Sequence, residues 1–422
     1  MKINAFIKRT ALLLALLTFL AGSASCSLIG AGYTARHGTP EPTSASDPVI
    51  TSAPTAEPTS PPTEEPTPEP TPTPEPTPEP TPEPVEALLA FVGDLMCLGN
   101  QQHAAREEAG SGHEFDFYSA FRYVKPIIES ADCAFANLET TLSPNWPYCE
   151  FLRRTEDGMP NCNAPRAFLD GVKYAGFDVL SLSNNHCCDA GLQGILDTLD
   201  AVDQYGFAHT GVFRSEDDPR YTMVTVKGIR IGLVAYTESY NGKNGCVAGH
   251  SYMINTYGDE KVARDVAALK QAGAEFIIAY PHWDKEHLNA PIQRTEERAR
   301  VFANAGVDLI VGAHPHAIQP VEWITASDGR RVLCMYSLGN FSSCMTRDTA
   351  RDSVIAKVVI RKSSDGKVSI VSDEYVPCRI FQGKLNGHSY VILPTSCREF
   401  SGKVKELEAA HERIMRIINS RS

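Results

Sequence analysis

The chain has 422 residues and a net charge of −12, and 17 of its 29 prolines fall between Pro40 and Pro84. The segment 40–86 holds ten acidic residues and no lysine or arginine, and the 39 residues before it carry four basic side chains and no acid, which leaves −6 for the remaining 336 residues. A region of that size buries a large core, and its lack of a basic surplus excludes a nucleic-acid groove, which must neutralise many phosphates.

Lys2, Lys8 and Arg9 precede an apolar run over residues 11–21, too short to span a bilayer, and small residues then lead to Cys26. This pattern predicts an export signal over residues 1–26. The small residues before Cys26 are similar to a bacterial lipobox, in which the cysteine is lipidated. Ser23 stands where that motif usually has leucine, and Gly22-Ser23-Ala24 also suits an ordinary signal peptidase. The expectation is a lipid anchor at Cys26 on the outer face of the cytoplasmic membrane, with plain secretion as the alternative. Residues 27–86 read as a stalk. Its Thr-Pro-Glu-Pro and Thr-Pro-Thr-Pro repeats block helix and sheet pairing and favour extended polyproline II, so residues 54–84 could reach on the order of 90 Å at ~3.1 Å per residue.

From residue 87 onward, apolar runs at 88–92, 133–136, 178–182, 229–236, 276–280, 308–311 and 332–336 alternate with amphipathic stretches. The latter, near 117–129, 164–175, 192–205, 259–272 and 292–305, predict helices, several closed by Gly176, Gly206, Gly273 and Gly306. Such alternation is the mark of an α/β architecture with largely buried sheets. The main domain is placed at 87–345. A C-terminal extension over 346–422 is expected to contain a hairpin of 353–360 with 368–376 and a terminal helix at 402–418. Twelve cysteines, eleven without Cys26, show no C-x-x-C pair, and their connectivity stays open. Cys97, Cys334 and Cys344 read as buried thiols, and the adjacent Cys187 and Cys188 are not expected to bridge each other.

Five apolar runs end in residues able to hold metal or phosphate: Asp94, Glu139, Asn184-Asn185-His186, His282 and His314-Pro315-His316. Loops from different strands of an α/β fold converge at such ends. Asp94, Glu139, Asn185, His186, His282, His314 and His316 are therefore expected in one cleft. Carboxylate, amide oxygen and imidazole together suit zinc, manganese or iron better than calcium, which prefers all-oxygen shells. Taken singly, Asp94 also reads as a turn or cap and Asn-Asn-His as a turn. In the third motif Pro315 sets the bend that lets two imidazoles lie on one side. Trp146, Trp283 and Trp323 either pack in walls and core or line a polymer groove. Asp189 reads as the cap of the following helix.

Six blocks, in order, resemble the signature of the CapA family of bacterial capsule and poly-γ-glutamate synthesis proteins. They are Gly93-Asp94-Leu95-Met96, Asn137-Leu138-Glu139, the run Asn184-Asn185-His186-Cys187-Cys188-Asp189-Ala190-Gly191, His282-Trp283-Asp284-Lys285-Glu286, the run from Gly312 through His314-Pro315-His316 to Glu322, and Ser337-Leu338-Gly339-Asn340-Phe341. The resemblance covers residues 88–341. It implies a layered α/β/β/α sandwich of the metallophosphoesterase type, with a small α+β C-terminal extension. It further implies one or two divalent ions on Asp94, Glu139, Asn185, His282, His314 and His316, with Glu139 bridging them. His186 would donate a proton or hydrogen bond to the substrate. Glu286 is the other catalytic candidate or orients a histidine, and Asn184, Asp189 and Glu322 support the ligands from behind. Met96 stands where metallophosphoesterases have the histidine of Asp-x-His, so the ion count stays open. Asp284 replaces the usual glycine, as a further ligand or a solvated acid.

Three functions follow as expectations. The first is a surface-tethered protein that works with membrane-bound synthesis and export proteins on an anionic polymer such as poly-γ-glutamate. The second is a free-standing hydrolase of phosphoesters or γ-glutamyl amides. The third is a non-catalytic assembly subunit.

Overall fold

The computed structural model describes residues 83–149 and 161–421. The export signal, Cys26 and nearly all of the stalk lie outside the described residues. The strands, in chain order, begin with β1 (Val85–Leu95), β2 (Cys133–Leu138), β3 (Val179–Ser181), β4 (Ala208–Thr210), β5 (Thr222–Val226), β6 (Ile229–Thr237) and β7 (Phe276–His282). They continue with β8 (Leu309–Val311), β9 (Val321–Thr325), β10 (Arg331–Met335), β11 (Asn340–Ser342), β12 (Asp352–Lys362), β13 (Val368–Phe381) and β14 (Val391–Pro394).

Two sheets form. The larger runs β14-β13-β12-β1-β2-β3-β4, with β11 beside the end of β1; the smaller runs β5-β6-β7-β8-β10-β9. In each, the central strands β1 to β4 and β6-β7-β8-β10 are parallel, so their C-terminal ends share one edge. Period-two alternation sets the layers. Leu89 and Phe91 of β1 face the second sheet and share one apolar cluster with Ile278 of β7 and Leu333 of β10, while Ala90 and Val92 turn to the opposite face. Ile277 and Ala279 likewise leave the sheet interface for the helices Asp259–Gln271 and Gln293–Ala305. The helices Phe168–Ala175 and Gly191–Gln204 cover the outer face of the larger sheet. Between the sheets Phe91 stacks on Phe135 with ring centres 4.9 Å apart. The result is the α/β/β/α sandwich.

The stretch 117–129 differs from its expected single helix: it forms two short helices, Tyr118–Phe121 and Lys125–Ile128. Pro126 has no N–H to give and its ring crowds the carbonyl four residues back, so a continuous helix cannot pass it. The strands β4, β5, β9, β11 and β14 have no counterpart among the apolar runs, because segments of three to five residues are too short to give a periodic signal of their own. Among the described residues no helix is long and apolar enough to cross a membrane.

The hairpin of β12 and β13 forms with antiparallel register, and β12 pairs with β1 from Val85 to Phe91. The C-terminal region therefore completes the larger sheet. Its terminal helix Val404–Ile418 sends Ala410, Ile414 and Ile418 into the apolar cluster between the sheets. A buried ion network fastens it: Asp352 takes Arg379 at 2.5 Å and Arg413 at 2.5 and 2.7 Å. Asp352→Ala removes the one fully buried carboxylate on the Arg379 guanidinium, itself only 3% exposed, leaving it the more exposed Asp348 and Glu406, and takes the partner of Arg413. We expect it to cost about 3 kcal/mol in urea unfolding, far above the effect of a surface pair.

Candidate metal centre

The strand ends of both sheets deliver the polar residues to one place. Asp94 is the penultimate residue of β1, Glu139 follows β2, Asn185 and His186 follow β3, His282 closes β7, and His314 and His316 follow β8. Asp94, Glu139, Asn185, His282 and His316 are all at most 3% exposed. Two glycines permit the approach. A Cβ on Gly93 would stand 1.9 Å from the Gly339 carbonyl oxygen, and one on Gly312 would stand 2.0 Å from that of Tyr336. His314 and His316 adopt φ of 96° and 52°, and Asp284 adopts 78°. Left-handed backbone at non-glycine residues persists only where surrounding contacts over-determine it, typically at functional sites.

The donors form two groups that share Glu139. In the first, His282 Nε2 lies 3.0 Å from Asn185 Oδ1, 3.1 Å from His314 Nδ1 and 3.5 Å from Glu139 Oε1. Asn185 is oriented from behind, its Nδ2 donating to Asn241 Oδ1 at 3.2 Å. In the second, His316 Nε2 lies 3.7 Å from Glu139 Oε1 while its Nδ1 lies 3.2 Å from Asp94 Oδ2 and 2.9 Å from Asn340 Oδ1. Asp94 Oδ2 also accepts from the His314 amide at 3.3 Å. His314, His316 and the exposed Glu286 make a third cluster of potential ligand atoms.

The electrostatics of this arrangement fit a cation. Glu139 is fully buried, and neither carboxylate oxygen has a hydrogen-bond partner. Burial and the Asp94 charge push its carboxyl well above the usual range. Burial and neighbouring imidazoles push His282 and His314 well below theirs. Burial also works against a charge on His316, but its contacts with Asp94 hold it above the ordinary histidine value. Neutral imidazoles aimed at an unsatisfied carboxylate are a poor way to bury polar groups and a good way to ligate a divalent ion. The mixed nitrogen and oxygen donor set suits a transition ion.

The remaining sequence candidates fall in different places. His186 stands at the edge of the cluster with Nε2 4.0 Å from Glu139 Oε1. Its Nδ1 lies 2.7 Å from Asp189 Oδ2. Asp189 is held in turn by the Cys162 amide at 2.5 Å and Lys243 Nζ at 2.6 Å. Asn184 ties the turn, donating to the Leu138 carbonyl and accepting the His186 amide. Glu322 is not brought to the cluster: on β9 it receives the Tyr336 hydroxyl and Arg421, and it orients no site histidine. Asp284 is neither a ligand nor solvated. It is buried, and it accepts from Lys285 N, Ile292 N and Gln319 Nε2. Trp283 is core, its indole N–H donating to the Tyr336 carbonyl at 2.9 Å.

Three contributors had no assigned role in the sequence reading. Asn137 donates to Asp94 Oδ1 at 2.8 Å, Asn340 meets His316, and Lys243 pairs with Asp189. Asn137 and Asn340 stand inside recognised blocks as polar residues beside apolar runs, which was a usable signal. Lys243 carried none.

Comparison with known proteins agrees with the blocks. Residues 88–344 match the family model described as bacterial capsule synthesis protein PGA_cap. The PGA biosynthesis protein CapA of Bacillus subtilis (strain 168) is 26% identical over 326 residues, 75% of this chain and 80% of that one. The capsule biosynthesis protein CapA of Bacillus anthracis is 26% identical over 294 residues, 67% of this chain and 66% of that one. Among solved structures, the NAD nucleotidase of Haemophilus influenzae aligns at a TM-score of 0.44 and 14% identity, covering 81% of this chain and 57% of the nucleotidase. The chain thus spans little more than half of that enzyme. The calcineurin-like phosphoesterase YfkN of Bacillus subtilis aligns at a TM-score of 0.43 and 12% identity, covering 79% and 99%. With the family model matched across well over half of its length, the chain belongs to the bacterial capsule synthesis protein PGA_cap family.

Proposed function

We propose that this protein is a surface-tethered accessory of capsular polymer synthesis, export or anchoring, and that its strand-end cluster holds one or two manganese, zinc or iron ions that engage an anionic polymer such as poly-γ-glutamate. The names of the two Bacillus relatives support the polymer class. The observation that carries the metal is Glu139, a fully buried carboxylate with two unpartnered oxygens, facing three imidazoles. Asp94, Glu139, Asn185, His282, His314 and His316 would hold the metal. When bound, such an ion supplies Lewis acidity toward acyl or phosphoryl oxygen and activates water. Asp189 fixes the His186 ring so that Nε2 faces the cluster, where it donates a proton or hydrogen bond to a substrate oxygen. Glu286, at the exposed edge beside His314 and His316, acts on incoming substrate. Cys26 would tether the chain to the membrane, beside membrane-bound synthesis and export proteins.

The His186 and Asp189 pair favours a second reading, a free-standing hydrolase of phosphodiesters or γ-glutamyl amides, since a carboxylate-oriented imidazole is a general acid and base arrangement. Metal content and hydrolysis, measured together on the purified protein, separate the readings. Wild type is expected to retain at least about one transition ion per chain, and Asp94→Ala and His314→Ala to retain less than about a tenth of that. Turnover by the isolated protein selects the hydrolase; metal without turnover until membrane partners are added selects the accessory. A folded wild type that takes up neither zinc nor manganese sinks the metal reading and leaves a polymer-binding scaffold.

A further inference from the structure

Beyond His282 the chain makes a loop that is fastened to the segment carrying His314 and His316. Asp284 closes the loop on itself by accepting from the Lys285 and Ile292 amides, and it takes Gln319 Nε2 at 3.1 Å. Gln319 Nε2 also donates to the Leu288 carbonyl, Asn289 Nδ2 to the Ile318 carbonyl, and the His287 amide to the Pro315 carbonyl at 2.6 Å. Residues 284–289 are thereby stapled to residues 315–319. The staples hold His287 at φ 66°, a left-handed conformation that a non-glycine residue keeps only where its surroundings over-determine it. Its ring centre stands 6.2 Å from that of His316, and its Nε2 lies 3.7 Å from Glu286 Oε2. The Glu286 carboxylate in turn comes within 4.8 Å of ligand atoms of His314 and His316, whereas His287 belongs to none of the groups of potential metal ligands among the described residues.

We propose that His287 and Glu286 are a substrate-reading pair at the mouth of the metal centre, and that they recognise an N-acylated amino acid unit: Glu286 accepts from its amide N–H, and His287 donates to the carboxylate on the neighbouring carbon. This rests on the strand-end cluster being the site that engages polymer. His287 Nδ1 is buried without a partner, so a proton there would have nothing to bond, and a neutral ring carries its hydrogen on Nε2. At 3.7 Å that N–H and the Glu286 carboxylate are too far apart to satisfy each other. The imidazole is 24% exposed and the carboxylate 49%, so a ligand reaches both. The mouth thus presents a donor and an anionic acceptor side by side. An acylated amino acid carries the complementary couple, an N–H and a carboxylate on one carbon, as each γ-linked glutamate unit does. A phosphodiester has acceptors only, and its charge would meet that of Glu286.

The test is titration calorimetry of the purified full chain with a γ-linked glutamate trimer, the same trimer N-methylated at its amides, and bis(p-nitrophenyl) phosphate, with metal content measured on the same samples. His287→Leu should bind the trimer at least about tenfold more weakly than wild type, while His287→Gln, which keeps an N–H, should stay within about threefold. Both should hold as much metal as wild type and melt with it, because the backbone amide that bonds to Pro315 is present in each. Glu286→Ala should weaken the parent trimer, leave the N-methylated one unchanged and tighten the phosphodiester. Trimer affinity unchanged in His287→Leu, or metal lost from it, overturns the role of His287. Equal weakening of both trimers by Glu286→Ala, or a wild type that binds no trimer or prefers the phosphodiester, overturns the amide assignment. A wild type without metal refutes the metal reading instead, and the same trimer affinities still decide the pair.

Discussion

Replacing Glu139 with glutamine is expected to move metal affinity and metal-free stability in opposite directions. The carboxylate is the donor common to both ligand groups, so a neutral amide there should weaken zinc or manganese binding at least about 100-fold by titration calorimetry. In the metal-free protein the same carboxylate is buried without a hydrogen-bond donor and close to Asp94. Glutamine removes that like-charge burial and should stabilise the metal-free chain by about 1–2 kcal/mol at pH 7. The pH dependence follows from the sign of the shift. A carboxyl raised above its ordinary 4.5 in the folded state binds its proton more readily folded than unfolded. It therefore costs the metal-free wild type stability as pH rises from that value. The advantage of Glu139→Gln should shrink as pH falls and level off below 4.5, where the wild-type side chain is neutral in both states. A variant that keeps its metal affinity would show that Glu139 is no ligand, and one that is less stable without metal would show that another group satisfies the buried carboxylate.

The second large effect is expected from Gly93→Ala. Gly93 lies in the interior of β1, directly before Asp94, and its added Cβ would sit 1.9 Å from the Gly339 carbonyl oxygen and 3.1 Å from the Leu338 carbonyl carbon. Both obstacles are backbone, so no rotamer change relieves them. The same approach carries the Asp94 amide bond to the Gly339 carbonyl at 2.9 Å and the pairing of β1 with β11, which ends at the His316 partner Asn340. Separating the strands should cost about 3–5 kcal/mol in denaturant unfolding and lower metal affinity even in protein that still folds. Gly191→Ala is the control for backbone conformation alone: it has positive φ but open space around it, and about 1 kcal/mol is expected there. If Gly93→Ala costs no more than the control, the close approach of β1 and β11 is not what seats Asp94.

Much of the site was legible because parallel strands impose a common direction. In a sheet of parallel strands every C-terminal end lies on one edge, so polar residues that close several apolar runs must converge, whatever their distance in sequence. That argument alone gathers Asp94, Glu139, Asn185, His282, His314 and His316. It places residues at an edge without assigning their partners. Glu322 illustrates the limit. It lies six positions beyond His316 in the same block, yet β9 is an antiparallel edge strand, and its glutamate turns to Tyr336 and Arg421. Asp284 fails in the other direction, since it is adjacent to the ligand run but is taken up by two local amides and Gln319.

By itself the sequence determined the α/β class, the order of the strands that carry chemistry and the residue types at their ends, because periodicity and chain punctuation are local properties. Only the tertiary structure decided that Glu139 is shared between two donor groups, that Asn137 and Asn340 orient Asp94 and His316, and that Lys243 holds Asp189. Those are contacts between segments far apart in the chain, 220 residues in the case of Asp94 and His314. Asn137 reaches Asp94 across neighbouring strands of one sheet; the other contacts exist only once two sheets have packed face to face and fixed the distance between their edges.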